Sequence, residues 1–309
     1  MYYDLNVPWT ADAAEVQRKL SFLAELGYSV VALNHSLSGK LPADITCPIP
    51  SPLPISPPAT LRILRRLTLT LTDPSQNHRL KALSDPTSNY DLLALRPTDE
   101  KTLAQACQSQ DCDLISLDLT RRYPFHFKHK TFISALDRGV RIELTYGPAL
   151  TAPDPAARRN LIMNASAIIR VTRGRGLVFS SEAATALAAR GPADVINLAV
   201  VWGLTRERGA EAVGSEARAV VVAAAFKRTS YRGVVDVVYG GEKPAKDEPK
   251  APPPPKGKRK AEEPVGAPAQ VSKREQKRRA QAARREGGGA DGEASTLNTT
   301  TVAVGTPKP

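Results

Sequence analysis

Five arginines and two serines within one stretch of this chain have the types and spacing to hold an anion. They are Arg158, Arg159, Arg170, Arg173 and Arg175, followed by Ser180 and Ser181. Arginine carries a fixed charge and a planar fork of donors that matches phosphate oxygens in pairs. Arg173 and Arg175 flank Gly174, where the backbone can come close to another surface. Ser180-Ser181-Glu182 has the pattern of a helix cap. A helix N-terminus at that point would add backbone donors and the positive end of a dipole. The expected chemistry is phosphate binding. The same stretch also suits an ordinary αβα unit with solvated arginines.

Hydrolytic chemistry has weaker support. Asp4, Asp118 and Glu143 fall near the ends of strand-like runs, and with His35 they could in principle form a metal-dependent phosphoesterase site. Isolated strand-end acids more often satisfy backbone donors or pair with arginine. The chain has four histidines, His35, His78, His126 and His129, and no H-x-H or H-x-x-x-H pair. His126 and His129 sit in FHFKHK, where neighbouring lysines repel a cation. Gly174-Arg175-Gly176 lacks the third glycine of a dinucleotide loop, and no G-x-S-x-G elbow occurs. No catalytic residue, metal ligand or cofactor is expected, and a binding barrel fits better than a catalytic one.

The elements that must position these residues alternate. Strand-like runs at 2–6, 29–34, 61–71, 91–96, 113–118, 141–146 and 176–179 are separated by helical patterns at 11–26, 98–109, 127–138 and 154–172. Leu161, Ile162, Ala165, Ile168 and Ile169 recur at helical spacing in the last of these. Seven strands with alternating crossovers predict a parallel sheet, open or closed into a barrel. Helices follow at 182–190, 193–203 and 205–226, with one further strand at 233–239. Seven prolines fall within residues 42–58, which predicts an extended loop on one rim.

Composition divides the chain near residue 240. No Phe, Trp or Tyr follows Tyr239, so residues 1–240 read as the folded domain and 241–309 as a disordered basic tail. The tail carries 15 Lys and Arg against 9 Asp and Glu. Its two basic clusters, Lys256, Lys258, Arg259 and Lys260, then Lys273, Arg274, Lys277, Arg278 and Arg279, suit nuclear import, RNA contact or plain solvation. A capping pattern at Ser272 and Glu275 predicts a marginal helix over 272–286. A net charge of +12 points to a polyanionic partner. It is also compatible with a protein-interaction scaffold that charge merely keeps in solution. Cys47, Cys107 and Cys112 have no metal-type spacing, and their odd number argues for a reducing compartment. The first residues lack a secretory pattern, and no apolar run is long enough to span a bilayer. A soluble intracellular protein is expected.

Taken in order, YYDLNV, GYSVVALNH, the proline loop leading into LRRLTLTL, YDLLALRPTDEKTLAQAC, DLISLDL, FHFKHKTFISALDRGVRIELTYGPAL, RRNLIMNASAIIRVTRGRGLVFSSEA and GPADVINLAVVWGL carry a family resemblance. Over roughly residues 1–235 the chain resembles the barrel-forming protein subunits of eukaryotic nuclear ribonuclease P and RNase MRP, in their fungal form. That resemblance implies a TIM-barrel-like α/β fold related to the polymerase-and-histidinol-phosphatase enzymes. Those enzymes carry H-x-H on the first strand, where this chain has Asp4-Leu5-Asn6. It further implies that RNA is the catalyst and the protein supports it. The reactions would be 5′-leader removal from precursor tRNA and cleavage of ribosomal RNA precursors. The implied partners are the ribonuclease P and MRP RNAs, precursor tRNA, a small RRM-like subunit and other subunits of the complex. The implied location is the nucleus, with the nucleolus favoured.

Overall fold

The computed structural model describes residues 1–39, 45–72, 80, 89–229, 274, 275, 277 and 278. The chain divides into two units, Met1–Lys243 and Pro244–Pro309. In the first, seven strands run parallel in the order of the sequence: β1 (Tyr2–Pro8), β2 (Tyr28–Leu37), β3 (Arg62–Leu71), β4 (Leu92–Pro97), β5 (Leu114–Leu117), β6 (Arg141–Thr145) and β7 (Leu177–Ser180). The sheet curls into a nearly closed barrel. No ladder joins β1 to β7, and the seam is bridged instead by single bonds. Ser181 N donates to Asp4 Oδ1 at 3.0 Å, and Glu182 N donates to Asn6 O at 2.8 Å.

Between and after these strands lie helices α1 (Ala13–Glu25), α2 (Glu100–Gln108), α3 (His129–Asp137), α4 (Gly147–Thr151), α5 (Pro155–Thr172), α6 (Pro192–Val201), α7 (Arg206–Val213) and α8 (Ser215–Thr229). Their boundaries follow local chemistry. Asp12 caps α1 by accepting from Ala14 N, and Gly27 with φ +94° ends the turn beyond it. Asp154 caps α5 in the same way, with Pro155 in the first turn. The buried stripe Leu161, Ala165, Ile168, Ile169 and Thr172 sets α5 against the sheet. Ile162, read as part of that stripe, is instead 45% exposed.

Strand alternation sorts the core into two layers. Val31, Leu33, Leu67, Leu69, Leu93, Leu95, Ile115, Ile142, Leu144 and Phe179 face the helices. Tyr3, Leu5, Val30, Ala32, Leu64, Leu92, Ala94, Leu114 and Val178 form a second cluster with Ala217, Val220, Val221 and Ala224 of α8. These strand residues lie toward the N-terminal ends, so α8 packs against that end of the barrel. Lys227 and Arg228 anchor its last turn on Asp113 at 3.1 and 2.9 Å, and Arg141 pairs with Glu216 at 2.6 Å.

Three expectations need correction or restriction. The helix expected over 182–190 is only a 3-10 turn at Ala186–Ala188. Glu182 takes a left-handed φ of +48°, and the Ser181 hydroxyl accepts from Ala183 N, so a turn forms where a helix start was read. The single helix expected over 205–226 is two, α7 and α8, broken at Gly214. The strand expected at 233–239 lies outside the described residues, as does nearly all of the tail. Arg274, Glu275, Lys277 and Arg278 are helical and exposed. Lys256, Lys258, Arg259, Lys260, Lys273 and Arg279 lie outside the described residues. In the proline loop, described residues 45–58 form neither helix nor strand, yet Ile49 is buried and Leu53 and Ile55 pack on the core.

Candidate nucleic-acid interface

In a barrel of this kind, chemistry belongs at the C-terminal ends of the strands. Here that half of the interior is filled by one polar network. Arg66 of β3 and Glu143 of β6, each wholly buried, meet in a two-pronged pair: Nη1 on Oε1, and Nη2 on Oε2 at 2.6 Å. Arg66 also donates to Leu5 O at 2.6 Å and to Thr68 Oγ1 at 3.0 Å. Thr68 in turn donates to Asn34 Oδ1 at 2.7 Å, and Asn34 donates to Asn6 Oδ1 at 2.8 Å. Burial alone would raise the Glu143 carboxyl, but the Arg66 charge and its hydrogen bonds outweigh it and hold the group below its ordinary range. Nearer the mouth, Arg96 forms a two-pronged pair with Glu182, both bonds at 2.8 Å, and donates to Ser116 at 3.1 Å.

The acids considered for hydrolysis are each engaged by other partners. Glu143 is neutralised by Arg66. Asp118 caps its own loop, accepting from Thr120 N at 3.1 Å and Thr120 Oγ1 at 2.6 Å. His35 is held by Tyr90, with Nδ1 2.8 Å from the phenol oxygen. Among the described residues, no group of three or more His, Cys, Asp or Glu side chains could hold a metal ion.

Asp4 serves the seam of the barrel, where its Oδ1 accepts from Ser181 N and, at 3.2 Å, from Asn6 N. Burial pushes its carboxyl from 3.8 up to about 6, against the opposing pull of the Ser181 and Asn6 donors. The folded value lies above the unfolded one, so the native state holds this proton more tightly. Its contribution to stability is full below about pH 3.8 and is lost as pH rises through about 6. Asp4→Asn keeps an acceptor and cannot ionise. Urea midpoints measured across that window should lose this downward slope in the variant, with no loss of stability at neutral pH. An unchanged slope would assign the effect to another group.

All five arginines of the sequence reading are exposed, and none forms an ion pair among the described residues. They do not form one cluster. Arg158 and Arg159 sit in the first turns of α5, roughly 20 Å along the axis from Arg173 at its C-cap. Arg170 and Arg173 come together in a groove of about 450 Å³. Its other walls include Ile169, Trp202, Leu204, Thr205 and Arg208. Arg173 itself takes the left-handed conformation, φ +56°, and Gly174 and Gly176 follow at +69° and +63°. Arg175 is exposed beyond that groove. Ser180 and Ser181 are only 2% and 1% exposed and lie at the opposite end of β7, so they are not beside the arginines. The start of α7 also lines this groove, through its cap Thr205, which accepts from Arg208 N.

The model of the RNase P subunit p30 family matches residues 1–229, which include every strand described above. The chain belongs to this family. The Schizosaccharomyces pombe protein named "Probable ribonuclease P protein subunit 3" is 38% identical to it over 76% of the chain and 99% of that protein. The Mus musculus ribonuclease P protein subunit p30 is 35% identical over 77% of the chain and 90% of that protein. The Saccharomyces cerevisiae ribonuclease P/MRP protein subunit RPP1 is 32% identical, covering 78% and 86%. Among solved structures, a chain of the archaeal ribonuclease P complex with mature tRNA superposes with a TM-score of 0.58 at 13% identity. It covers 78% of this chain and all of that one, a likeness of fold.

In this p30 barrel, sequence reasoning missed Asn6, Asn34, Arg66, Thr68, Arg96 and Ser116. One signal could have found most of them. In successive strands a polar residue stands two or four places beyond a small or aliphatic residue of the same parity: Val30, Ala32, Asn34; Leu64, Arg66, Thr68; Leu92, Ala94, Arg96; Leu114, Ser116. A polar layer stacked on an apolar layer inside a p30 barrel is legible as that alternation.

Proposed function

We propose that the chain is a non-catalytic, RNA-binding protein subunit of ribonuclease P and RNase MRP. It supports 5′-leader removal from precursor tRNA and processing of ribosomal RNA precursors. The observation that carries this reading is a contrast of charge. Inside the barrel Glu143 is wholly buried against Arg66, while Arg158, Arg159, Arg170, Arg173 and Arg175 stand at the surface without acidic partners among the described residues. A site built for hydrolysis needs accessible acids. A site built to hold a polyanion needs accessible fixed cations. The partners are the ribonuclease P and MRP RNAs, precursor tRNA, a small RRM-like subunit and other subunits of the complex. The location is the nucleus, chiefly the nucleolus.

Within this reading Arg170 and Arg173 contact phosphate in their shared groove, with Arg158, Arg159 and Arg175 as outlying contacts. Arg170→Ala with Arg173→Ala should leave the full chain folded, because both side chains are exposed. Its affinity for the cognate RNA should fall, and the salt dependence of log K should become shallower by about two phosphate contacts, a slope change of roughly 1.4–1.8. Binding with wild-type affinity and slope would remove these residues from the RNA interface. Loss of the small RRM-like subunit with RNA binding intact would make the groove a protein contact.

A further inference from the structure

The loop between β5 and α3 forms a second groove, lined by Arg122, Tyr123, Phe125, His126, Phe127 and Met163, with a volume of about 580 Å³. Its aromatic wall is built. Tyr123, Phe125 and Phe127 have ring centroids 5.3 to 5.8 Å apart, and Phe127 rests edge-on against the wholly buried Phe132. The loop is tied to α5: Asn164 donates to Leu119 O and Arg121 O at 3.0 and 2.9 Å, and Asn160 donates to Thr120 O at 2.9 Å. The wall is therefore preorganised and keeps its shape without an occupant. Phe125 and Phe127 are only half-buried, and Met163 is 54% exposed on the facing helix.

The charge around the groove decides what fits. Its lining contains Arg122 and His126 and no acidic residue. Arg159 lies one turn before Met163 on the same face of α5, exposed and without an ion pair among the described residues. Half-open aromatic rings beside unpaired cations match an unstacked base and its flanking phosphates. An acidic apolar helix of a protein would need a longer apolar trough than one methionine opposite two rings. We propose that this groove holds one base of single-stranded RNA, stacked against Phe125 and covered by Met163. Arg122 and Arg159 hold the adjoining phosphates. The proposal rests on the RNA-binding reading above, and gives FHFKHK a role as a base-stacking wall.

The test uses the full chain and a short single-stranded oligoribonucleotide carrying a fluorescent purine analogue, whose emission is quenched by stacking. Phe125→Leu keeps apolar bulk and removes the aromatic face, and Phe125→Tyr restores that face. Phe125→Leu should weaken binding about tenfold and relieve quenching with an unchanged salt slope, and Phe125→Tyr should recover both. Met163→Gln, at an exposed position, should weaken binding in the same direction, and it decides the matter if Phe125→Leu fails to fold. Wild-type affinity and quenching in the Leu and Gln variants, with affinity lost in the Arg170, Arg173 double variant, would overturn the base groove and leave the RNA-binding reading standing. No salt-dependent binding by the wild-type chain would overturn both. Loss of a protein subunit from the Phe125→Leu variant with RNA binding intact would make the groove a protein interface and overturn the proposal.

Discussion

Glu143→Ala is expected to destabilise the barrel by about 3–5 kcal/mol, the range for removing one partner of a buried ion pair. The loss is large because of what remains. Arg66 would keep its charge with no solvent contact, and its remaining partners, Leu5 O and Thr68 Oγ1, are neutral. For a domain of this size each kcal/mol shifts the thermal midpoint by about 2–4 °C, so a drop on the order of 10 °C is expected. Replacing both members with apolar residues, Arg66→Met with Glu143→Leu, should recover much of the loss, since it removes the unpaired charge rather than stranding it. RNA affinity per folded molecule should be unchanged in both variants. If Glu143→Ala loses less than about 1 kcal/mol, water reaches Arg66 and the interior is not the closed network described.

Gly147→Ala carries the second large effect. A β-carbon there would lie 2.4 Å from Ser181 O and 3.1 Å from Glu182 O, both backbone atoms that cannot rotate away. The same Gly147 donates its N–H to Ser181 O at 2.8 Å, and the N–H of that same peptide, Glu182 N, donates to Asn6 O of β1 at 2.8 Å. One methyl group therefore presses on the peptide that joins β6, β7 and β1. Overpacking commonly destabilises by about 1–3 kcal/mol, and a backbone obstacle places this site at about 3 kcal/mol. A urea titration checks it. A midpoint within error of wild type would mean that the seam can open freely.

The alternation of strand and helix was legible because the strands are short apolar runs, and helices such as α1 and α5 have an apolar stripe and a capping aspartate. Arg173 and Gly174 also read correctly as a turn, since a positive φ there needs glycine or a tolerated single residue. The serines at 180 and 181 did not read correctly. Their capping pattern is local, but Asp4, 177 residues away in sequence from Ser181, takes the Ser181 N–H and fixes a turn instead. Pairings such as Arg66 with Glu143 depend on strands brought side by side in the barrel. Local spacing shows the polar parity and does not show who meets whom. The split of the arginines into separate places on α5 has the same origin, because helix length separates residues that appear as one cluster in the sequence.

The central claim is that this chain serves an RNA catalyst. Its most direct test is to purify the tagged full chain from its own cells under native conditions and sequence the RNA bound to it. The account predicts strong enrichment of the ribonuclease P and MRP RNAs over total cellular RNA. Recovery of the chain in good yield with neither RNA enriched would contradict it.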